Sequence, residues 1–181
     1  MTYTSYLYFF GFVGVVYLLY LMVPVKHRWL VLLAGSYAFY MFMNGFLTAF
    51  LLATTLSIYF CGIYLGKIQD KFNIAKKDLS KDEKKVLKAA FTKKKKGVVA
   101  IAVIINLGIL LFLKYFNFFA EQGNLFLSMF NLHDVIPLIS IALPLGISYY
   151  TLQAIGYVVD VYRGRCKPET NAAKLALFLS F

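Results

Sequence analysis

The sequence predicts an all-α protein, a polytopic bundle of transmembrane helices with about five spans and the start of a sixth. Of its 181 residues, 61% are hydrophobic, and the mean hydropathy is +0.71, whereas a typical soluble domain is about half apolar. No Asp, Glu, Lys or Arg occurs in residues 3–23 or 29–66. About 20 apolar residues in a helix suffice to cross a hydrocarbon layer of ~30 Å.

Helix-breaking residues divide the apolar stretches into spans. Pro24 ends the first stretch, and Asn44-Gly45 marks a tight turn inside the second. Pro137 and Pro144 interrupt the fifth span. In chain order, the predicted spans are residues 3–23, 29–43, 46–66, 97–119 and 135–161, with a sixth that starts near Ala172.

Residues 67–96 form a predicted polar loop within a single partial transmembrane domain, residues 1–181. The loop holds twelve lysines against three aspartates and one glutamate. Ser80 and Glu83 have the spacing of a capping box, which predicts a short amphipathic helix lying on an anionic membrane surface. A solvated linker with a fraying helix is the alternative that the sequence leaves open.

Basic residues alternate between the gaps that separate the spans. They occur in the first, third and fifth gaps and are absent from the second and fourth. The basic residues of the first and fifth gaps are Lys26, Arg28, Arg163, Arg165, Lys167 and Lys174. Because cytoplasmic loops of membrane proteins are rich in Lys and Arg, this pattern predicts an outside N-terminus and a cytoplasmic loop 67–96. The net charge of +11 then reflects contact with the lipid bilayer, and no nucleic-acid partner is expected.

The last residues predict that the sequence continues in a longer protein. Residues 175–181 make only about ten ångströms of helix, which is too short to cross a bilayer. We therefore expect this chain to be the front part of a larger membrane domain.

A polar stripe follows one face of the helix predicted after Pro144. Tyr149, Gln153, Gly156 and Asp160 recur at steps of three and four residues, with Tyr157 alongside. Leu152, Ile155 and Val159 fall on the opposite side, so we expect the stripe to point into the protein. Polar groups inside a membrane are functional candidates, and the predicted substrate-binding residues are Tyr149, Gln153, Tyr157 and Asp160. In the alternative interpretation Gln153 and Tyr149 only bond neighbouring helices, and Asp160 pairs with Arg163 at the membrane interface.

The residues alone reveal no reaction. His27 lies in a basic turn and His133 beside Asp134, and neither is predicted to be catalytic. The sequence contains no phosphate loop, no cluster of zinc ligands and no dinucleotide fingerprint, so neither a metal nor a bound cofactor is predicted. Cys61 lies in a predicted span and Cys166 in a basic loop, so no disulfide is expected.

Three blocks of the sequence resemble a known family. The most specific block runs from Leu143-Pro-Leu-Gly-Ile-Ser-Tyr-Tyr-Thr-Leu-Gln153 to Tyr157-Val-Val-Asp-Val-Tyr-Arg-Gly164. Two weaker blocks are Leu113-Lys-Tyr-Phe-Asn-Phe-Phe119 and Leu30-Val-Leu-Leu-Ala-Gly-Ser-Tyr-Ala-Phe-Tyr40. The chain resembles the membrane-bound O-acyltransferases (MBOAT), especially the bacterial branch that O-acetylates alginate. It departs from that pattern at Tyr149 and Leu152, where relatives often carry Phe, and in its long Lys-rich insert.

The resemblance implies the N-terminal portion of an O-acyltransferase in the bacterial plasma membrane. Such an enzyme passes an acyl group, in this branch acetyl, from acetyl-CoA or an acyl carrier to hydroxyls of an extracytoplasmic polysaccharide or a partner protein. The donor is a co-substrate and not a bound cofactor. The family's catalytic histidine lies farther along the chain, and neither His27 nor His133 matches its motif, so the 181 residues alone are expected to be inactive.

Two other classes of protein stay open from the sequence. A Pro- and Gly-broken helix with a polar stripe also suits a transporter or channel subunit. However, inverted repeats, which would favour transport, are not evident in the sequence. A non-catalytic membrane scaffold is the third interpretation, and it would not require a downstream histidine.

Overall fold

The computed structural model describes residues 7–76, 81–129, 137 and 146–181, and within them the regular structure is helical. The segment Leu7–Val13 is a π-helix, and short 3₁₀ turns cover Val25–His27 and Gly45–Leu47. The α-helices are α1 (Gly14–Met22), α2 (Arg28–Asn44), α3 (Thr48–Ala75), α4 (Lys81–Ser128), α5 (Ile147–Arg163) and α6 (Ala172–Ser180). The predicted all-α fold is confirmed, while Pro144, His133 and Asp134 lie outside the described residues.

The helices begin and end at residues with special backbone or capping properties. Gly146 and Gly164 flank α5, and both have a positive φ, of 73° and 75°. Such left-handed backbone is readily adopted by glycine, which has no Cβ to clash. The Asn171 side chain caps α6 by accepting hydrogen bonds from the backbone N–H groups of Ala173 and Lys174.

The segment 67–96 is largely helical, and this corrects the predicted loop. Helix α3 continues to Ala75, and α4 begins at Lys81. Lys, Glu, Ala and Leu are strong helix formers, so a charged segment stays helical after it leaves the apolar region. Phe72 and Phe91, with ring centroids 5.6 Å apart, join the two helices in a hairpin. The amphipathic helix predicted after Ser80 is therefore the start of α4 and not a separate element.

In the part of the chain that the structure describes, two helices are long and apolar enough to cross a membrane: α3 with its preceding turn (Gly45–Ala75) and, in α4, Asp82–Ser128. Helices α2 and α5 have 17 residues each, about 26 Å at the usual helical rise. Many large apolar side chains of α3 and α4 face outwards, among them Phe60, Ile104 and Phe119. Apolar faces turned away from the core are expected of helices whose solvent is lipid. The exact number of spans stays a prediction.

Helices α3, α4 and α5 pack against one another and form the centre of the structure. Leu51, Ile58 and Leu65 recur every seven residues on α3 and are at most 1% exposed. Between α3 and α4, the buried Asn106 amide donates a hydrogen bond of 2.9 Å to the Ser57 hydroxyl. Helix α6 packs on α2, α3 and α5, so it covers one side of α5.

Candidate functional site

Helix α5 buries a different face from the one that the sequence predicted. Tyr150, Ala154 and Val158 are at most 1% exposed and pack in the centre, whereas Tyr149 is 70% exposed. The expectation that the whole polar stripe points into the protein was therefore wrong for Tyr149. Leu152, 61% exposed, does point outwards as predicted. In a chain this rich in apolar residues, polarity alone does not distinguish the face that meets other helices from the face that meets lipid.

The other members of the stripe line a cleft between α5, α6 and the loop that joins them. The cleft has a volume of about 520 Å³. Its walls comprise Gln153, Gly156, Tyr157, Asp160, Cys166, Lys167, Glu169, Lys174, Leu175 and Phe178. The structure thus brings Gln153, Tyr157 and Asp160 together and leaves Tyr149 outside.

Gln153 ties α5 to the end of α6. Its side-chain Nε2 donates a hydrogen bond of 2.7 Å to the backbone carbonyl of Phe178. The Oε1 atom of the same amide is buried, and no described residue donates a hydrogen bond to it. A buried acceptor without a donor is unfavourable by about 1–3 kcal/mol. This oxygen is therefore an unsatisfied hydrogen-bond acceptor on a side chain that lines the cleft.

Tyr157 holds the loop between α5 and α6. Its hydroxyl accepts a 2.7 Å hydrogen bond from the backbone N–H of Glu169. The ring lies against Gly62 of α3, where a Cβ atom would be only 3.4 Å from the phenol. A second phenol holds the same loop, because the Tyr59 hydroxyl donates a 2.8 Å hydrogen bond to the carbonyl of Thr170.

Asp160 pairs with Arg165 and not with Arg163, which corrects the expected partner. The Arg165 Nη1 atom lies 3.3 Å from the Asp160 Oδ1 atom. The Arg165 backbone N–H also donates to the Asp160 carbonyl, at 3.0 Å, in the turn that ends α5. The pKa of the nearby Cys166 thiol is raised, first by burial and then by the Asp160 charge. Of the alternative interpretation, the bond from Gln153 to a neighbouring helix is present, whereas Tyr149 is exposed and Asp160 has a different partner from the expected one.

Sequence reasoning missed a second polar feature, a cluster of tyrosines beneath the start of α5. Tyr150 is 1% exposed, and its hydroxyl has no hydrogen-bond partner among the described residues. The Tyr37 hydroxyl is also buried and has no hydrogen-bond partner among the described residues. The Tyr40 hydroxyl lies 3.2 Å from where a Cβ atom at Gly146 would be. The signal was ambiguous because adjacent tyrosines, 149 and 150, point to different sides of a helix.

Within the described residues no cluster of His, Cys, Asp and Glu could hold a metal ion. His27 lies exposed in the turn before α2, and His133 is outside the described residues. Cys61 and Cys166 are both free, in agreement with the sequence. The lining of the cleft thus includes an amide, a phenol, a thiol, two carboxylates and two ammonium groups.

The fold and the cleft define a helical membrane protein with a polar site between packed helices. The probable alginate O-acetylase AlgI of Azotobacter vinelandii is 27% identical to the chain over 180 residues, which are 99% of the chain and 32% of that relative. The corresponding protein of Pseudomonas putida KT2440 is 28% identical over 99% of the chain and 33% of its own length. The corresponding protein of Pseudomonas aeruginosa PAO1 is 27% identical over 99% of the chain and 31% of its own length.

These relatives confirm the resemblance found in the sequence. The chain is similar to bacterial alginate O-acetylases over nearly all of its residues, and it spans about a third of their length. No protein-family model matches the chain. No solved structure matches it either.

Proposed function

We propose that this chain is the N-terminal portion of a membrane-bound O-acyltransferase that moves an acetyl group to hydroxyls of an extracytoplasmic polysaccharide. The observation that carries the proposal is similarity along 180 residues to relatives named as alginate O-acetylases. The all-helical fold and the two long apolar helices agree with it. Neither transport nor a scaffold role is supported by the names of these relatives.

The cleft between α5 and α6 is proposed to line the substrate chamber of the complete enzyme. Gln153 Oε1, which lacks a donor, would accept a hydrogen bond from a hydroxyl of the substrate. Tyr157 and Asp160 would support the chamber through the loop contacts already described. Tyr149 is exposed here, so it would contribute only where another segment covers α5. The donor would be acetyl-CoA or an acyl carrier, and a histidine beyond residue 181 would act as general base.

The protein is proposed to span the bacterial plasma membrane several times. Its N-terminus would face outwards, and the hairpin of α3 and α4 would stand in the cytoplasm, as the lysines of the hairpin require. Labelling of Cys166 tests this orientation in intact cells of a Cys61→Ser variant. A membrane-impermeant maleimide should leave Cys166 unlabelled until the cells are opened. Labelling of Cys166 in intact cells would show that the protein has the opposite orientation.

The proposed reaction is tested by disrupting the gene in its source organism. Ester-linked acetyl on the exported and cell-wall polysaccharides would be measured by proton NMR before and after mild alkali. Loss of acetyl, restored by a plasmid carrying the complete reading frame, would support the proposal. Unchanged acetyl content in every polysaccharide fraction would exclude it.

The proposed chamber has its own test in the complete enzyme. Gln153→Ala removes the unpaired oxygen, while Leu152→Ala, on the outer side of the same helix, is the matched control. We expect Gln153→Ala to lower acetylation per folded molecule by about tenfold, the effect of one lost hydrogen bond in a dry site. The assignment fails if acetylation and donor affinity both stay unchanged.

A further inference from the structure

A second cavity lies at the basic end of the molecule and shares Cys166 and Lys167 with the cleft between α5 and α6. This groove has a volume of about 990 Å³ and runs between the end of α3, the start of α4 and the turn after α5. It is lined by Leu65, Gly66, Gln69, Asp70, Asn73, Lys88, Thr92, Lys95, Val161, Tyr162, Arg163, Gly164, Arg165, Cys166, Lys167 and Pro168. We call it the basic groove.

The charge of the basic groove is strongly unbalanced. Five of its lining residues are cationic, namely Lys88, Lys95, Arg163, Arg165 and Lys167, and only Asp70 is anionic. Arg165 is compensated by Asp160 at 3.3 Å. Within the described part of the chain, no ion pair involves the other four cations. Cations drawn together on three separate segments repel one another unless an anion lies between them.

The neighbouring groups in the groove suit an oxyanion with several oxygens. Gln69, Asn73 and Thr92 add neutral donors to the cationic ones. Lys95 already donates to the Gln69 amide oxygen, which holds its ammonium group inside the groove. A single carboxylate would neutralise only part of this charge, whereas a phosphate group offers more charge and more acceptor oxygens.

In the proposed membrane orientation, the groove also lies near the level of the lipid phosphates. Lys95 precedes by two residues Gly97, where a stretch free of charged residues begins and runs to Leu113. On α5, Arg163 follows directly after the apolar residues Val161 and Tyr162. The cations thus stand at the boundary between the apolar core and water, where the anionic headgroups of a leaflet are found.

We propose that the basic groove is a binding site for a phosphate-bearing anion, contributed either by an acidic phospholipid or by a soluble phosphate ester. The inference rests on the lining of the groove and on the proposed membrane location, and not on the acetyl transfer proposed above. The bound anion neutralises Lys88, Lys95, Arg163 and Lys167 together. It thereby holds the turn after α5 against the hairpin of α3 and α4.

Binding is measured on the purified protein, expressed with its complete reading frame and kept in neutral detergent micelles. One arm titrates a fluorescent phosphatidylglycerol and follows its anisotropy, with phosphatidylcholine as the uncharged comparison. The other arm titrates inorganic pyrophosphate by calorimetry. Saturable binding of phosphatidylglycerol identifies a lipid source, and saturable binding of pyrophosphate identifies a soluble source.

The matched variants separate the groove from general charge attraction. Arg163→Gln with Lys167→Gln removes two groove cations, and Lys84→Gln with Lys93→Gln removes two exposed cations of α4 that do not line it. The groove pair should weaken binding about tenfold or more, as loss of charge-assisted hydrogen bonds predicts, and the control pair less than about twofold. Lys88→Gln, at an exposed position, should weaken binding without disturbing the turn after α5.

Three results would overturn the proposal. The first would be that neither ligand binds in a saturable way. The second would be that the control pair weakens binding as much as the groove pair. The third would be that the groove variants bind like the unaltered protein. If the double variant misfolds, Lys88→Gln still tests the proposal, because this substitution lies on α4 and leaves α5 and its turn intact. Lys88 lines the groove and not the cleft, so Lys88→Gln tests the groove apart from the proposed substrate chamber, and the gene disruption measures polysaccharide acetylation separately.

Discussion

The Tyr157 hydroxyl accepts a hydrogen bond from the backbone N–H of Glu169 at 2.7 Å. This bond joins a side chain in the middle of the most specific sequence block to the loop that precedes α6. The same loop forms one wall of the cleft and, at Cys166 and Lys167, one wall of the basic groove. Together with Tyr59, which bonds the same loop at Thr170, Tyr157 therefore positions residues of both cavities.

Replacing Tyr157 with Phe should loosen this loop. The substitution keeps the ring and removes the acceptor, so the Glu169 N–H loses its partner, and we expect a loss of about 1 kcal/mol in unfolding free energy. Thermal unfolding in detergent would show it as a lower melting temperature. Tyr149→Phe changes the same atom at a position that is 70% exposed, and it should leave the melting temperature unchanged. Equal effects of the two variants would contradict the structural role of the Tyr157 hydroxyl.

Asn106→Leu should destabilise the contact between α3 and α4. It removes the 2.9 Å bond to Ser57 and the 2.8 Å bond to the Ala102 carbonyl. Hydrogen bonds between membrane helices contribute about 1 kcal/mol each. A double-mutant cycle with Ser57→Ala should give a coupling energy of about 0.5–1 kcal/mol. Additive effects of the two substitutions would show that the pair does not interact.

Gly66→Ala should displace the loop after α5. A Cβ atom at residue 66 would lie 2.7 Å from the Cγ atom of Pro168, and neither a helix backbone nor a proline ring yields easily. Overpacking of this kind costs about 1–3 kcal/mol. The control is Gly108→Ala on α4, where a Cβ atom meets nothing within 4 Å. That variant should be as stable as the parent or slightly more stable, because Ala is the better helix former.

Cys166 should react slowly with maleimides at neutral pH although it is exposed. Burial and the Asp160 charge raise its pKa, so the reactive thiolate is scarce at pH 7 and increases as the pH rises. In a Cys61→Ser background the labelling rate should rise about tenfold per pH unit between pH 7 and 8.5, as expected below the pKa of a thiol. Asp160→Asn should increase the rate at pH 7. A rate that is independent of pH would show that access, and not ionisation, limits the reaction.

The sequence predicted the elements whose causes are local. Pro24 and Gly45 separate α1, α2 and α3 near the predicted places, and Gly146 marks the start of α5. Each of these residues restricts or frees its own backbone, so a single position carries the information. The resemblance to O-acyltransferases could also be recognised from the sequence, because it depends on the order of residues in the block around Tyr157.

What the sequence could not predict depends on contacts between distant segments. The lysines of residues 67–96 indicate contact with water but not backbone conformation, and the described residues 67–75 and 81–96 are helical where a loop was expected. Tyr149 and Tyr150 are alike in sequence, and only the packing of α5 on α3 and α4 decides that Tyr150 is buried. Asp160 pairs with Arg165, and not with Arg163 as the alternative interpretation expected, because Gly164 reverses the chain between the two arginines.

Helix α4 continues without a break through 48 residues, about 72 Å at the usual helical rise. Because the helix is continuous, its lysine-rich start and its apolar remainder keep one fixed rotational register about a common axis. The contact of Asn106 with Ser57 lies near the middle of the helix. One residue inserted within 81–96 would therefore turn the preceding lysines by about 100° relative to the face of α4 that packs on α3.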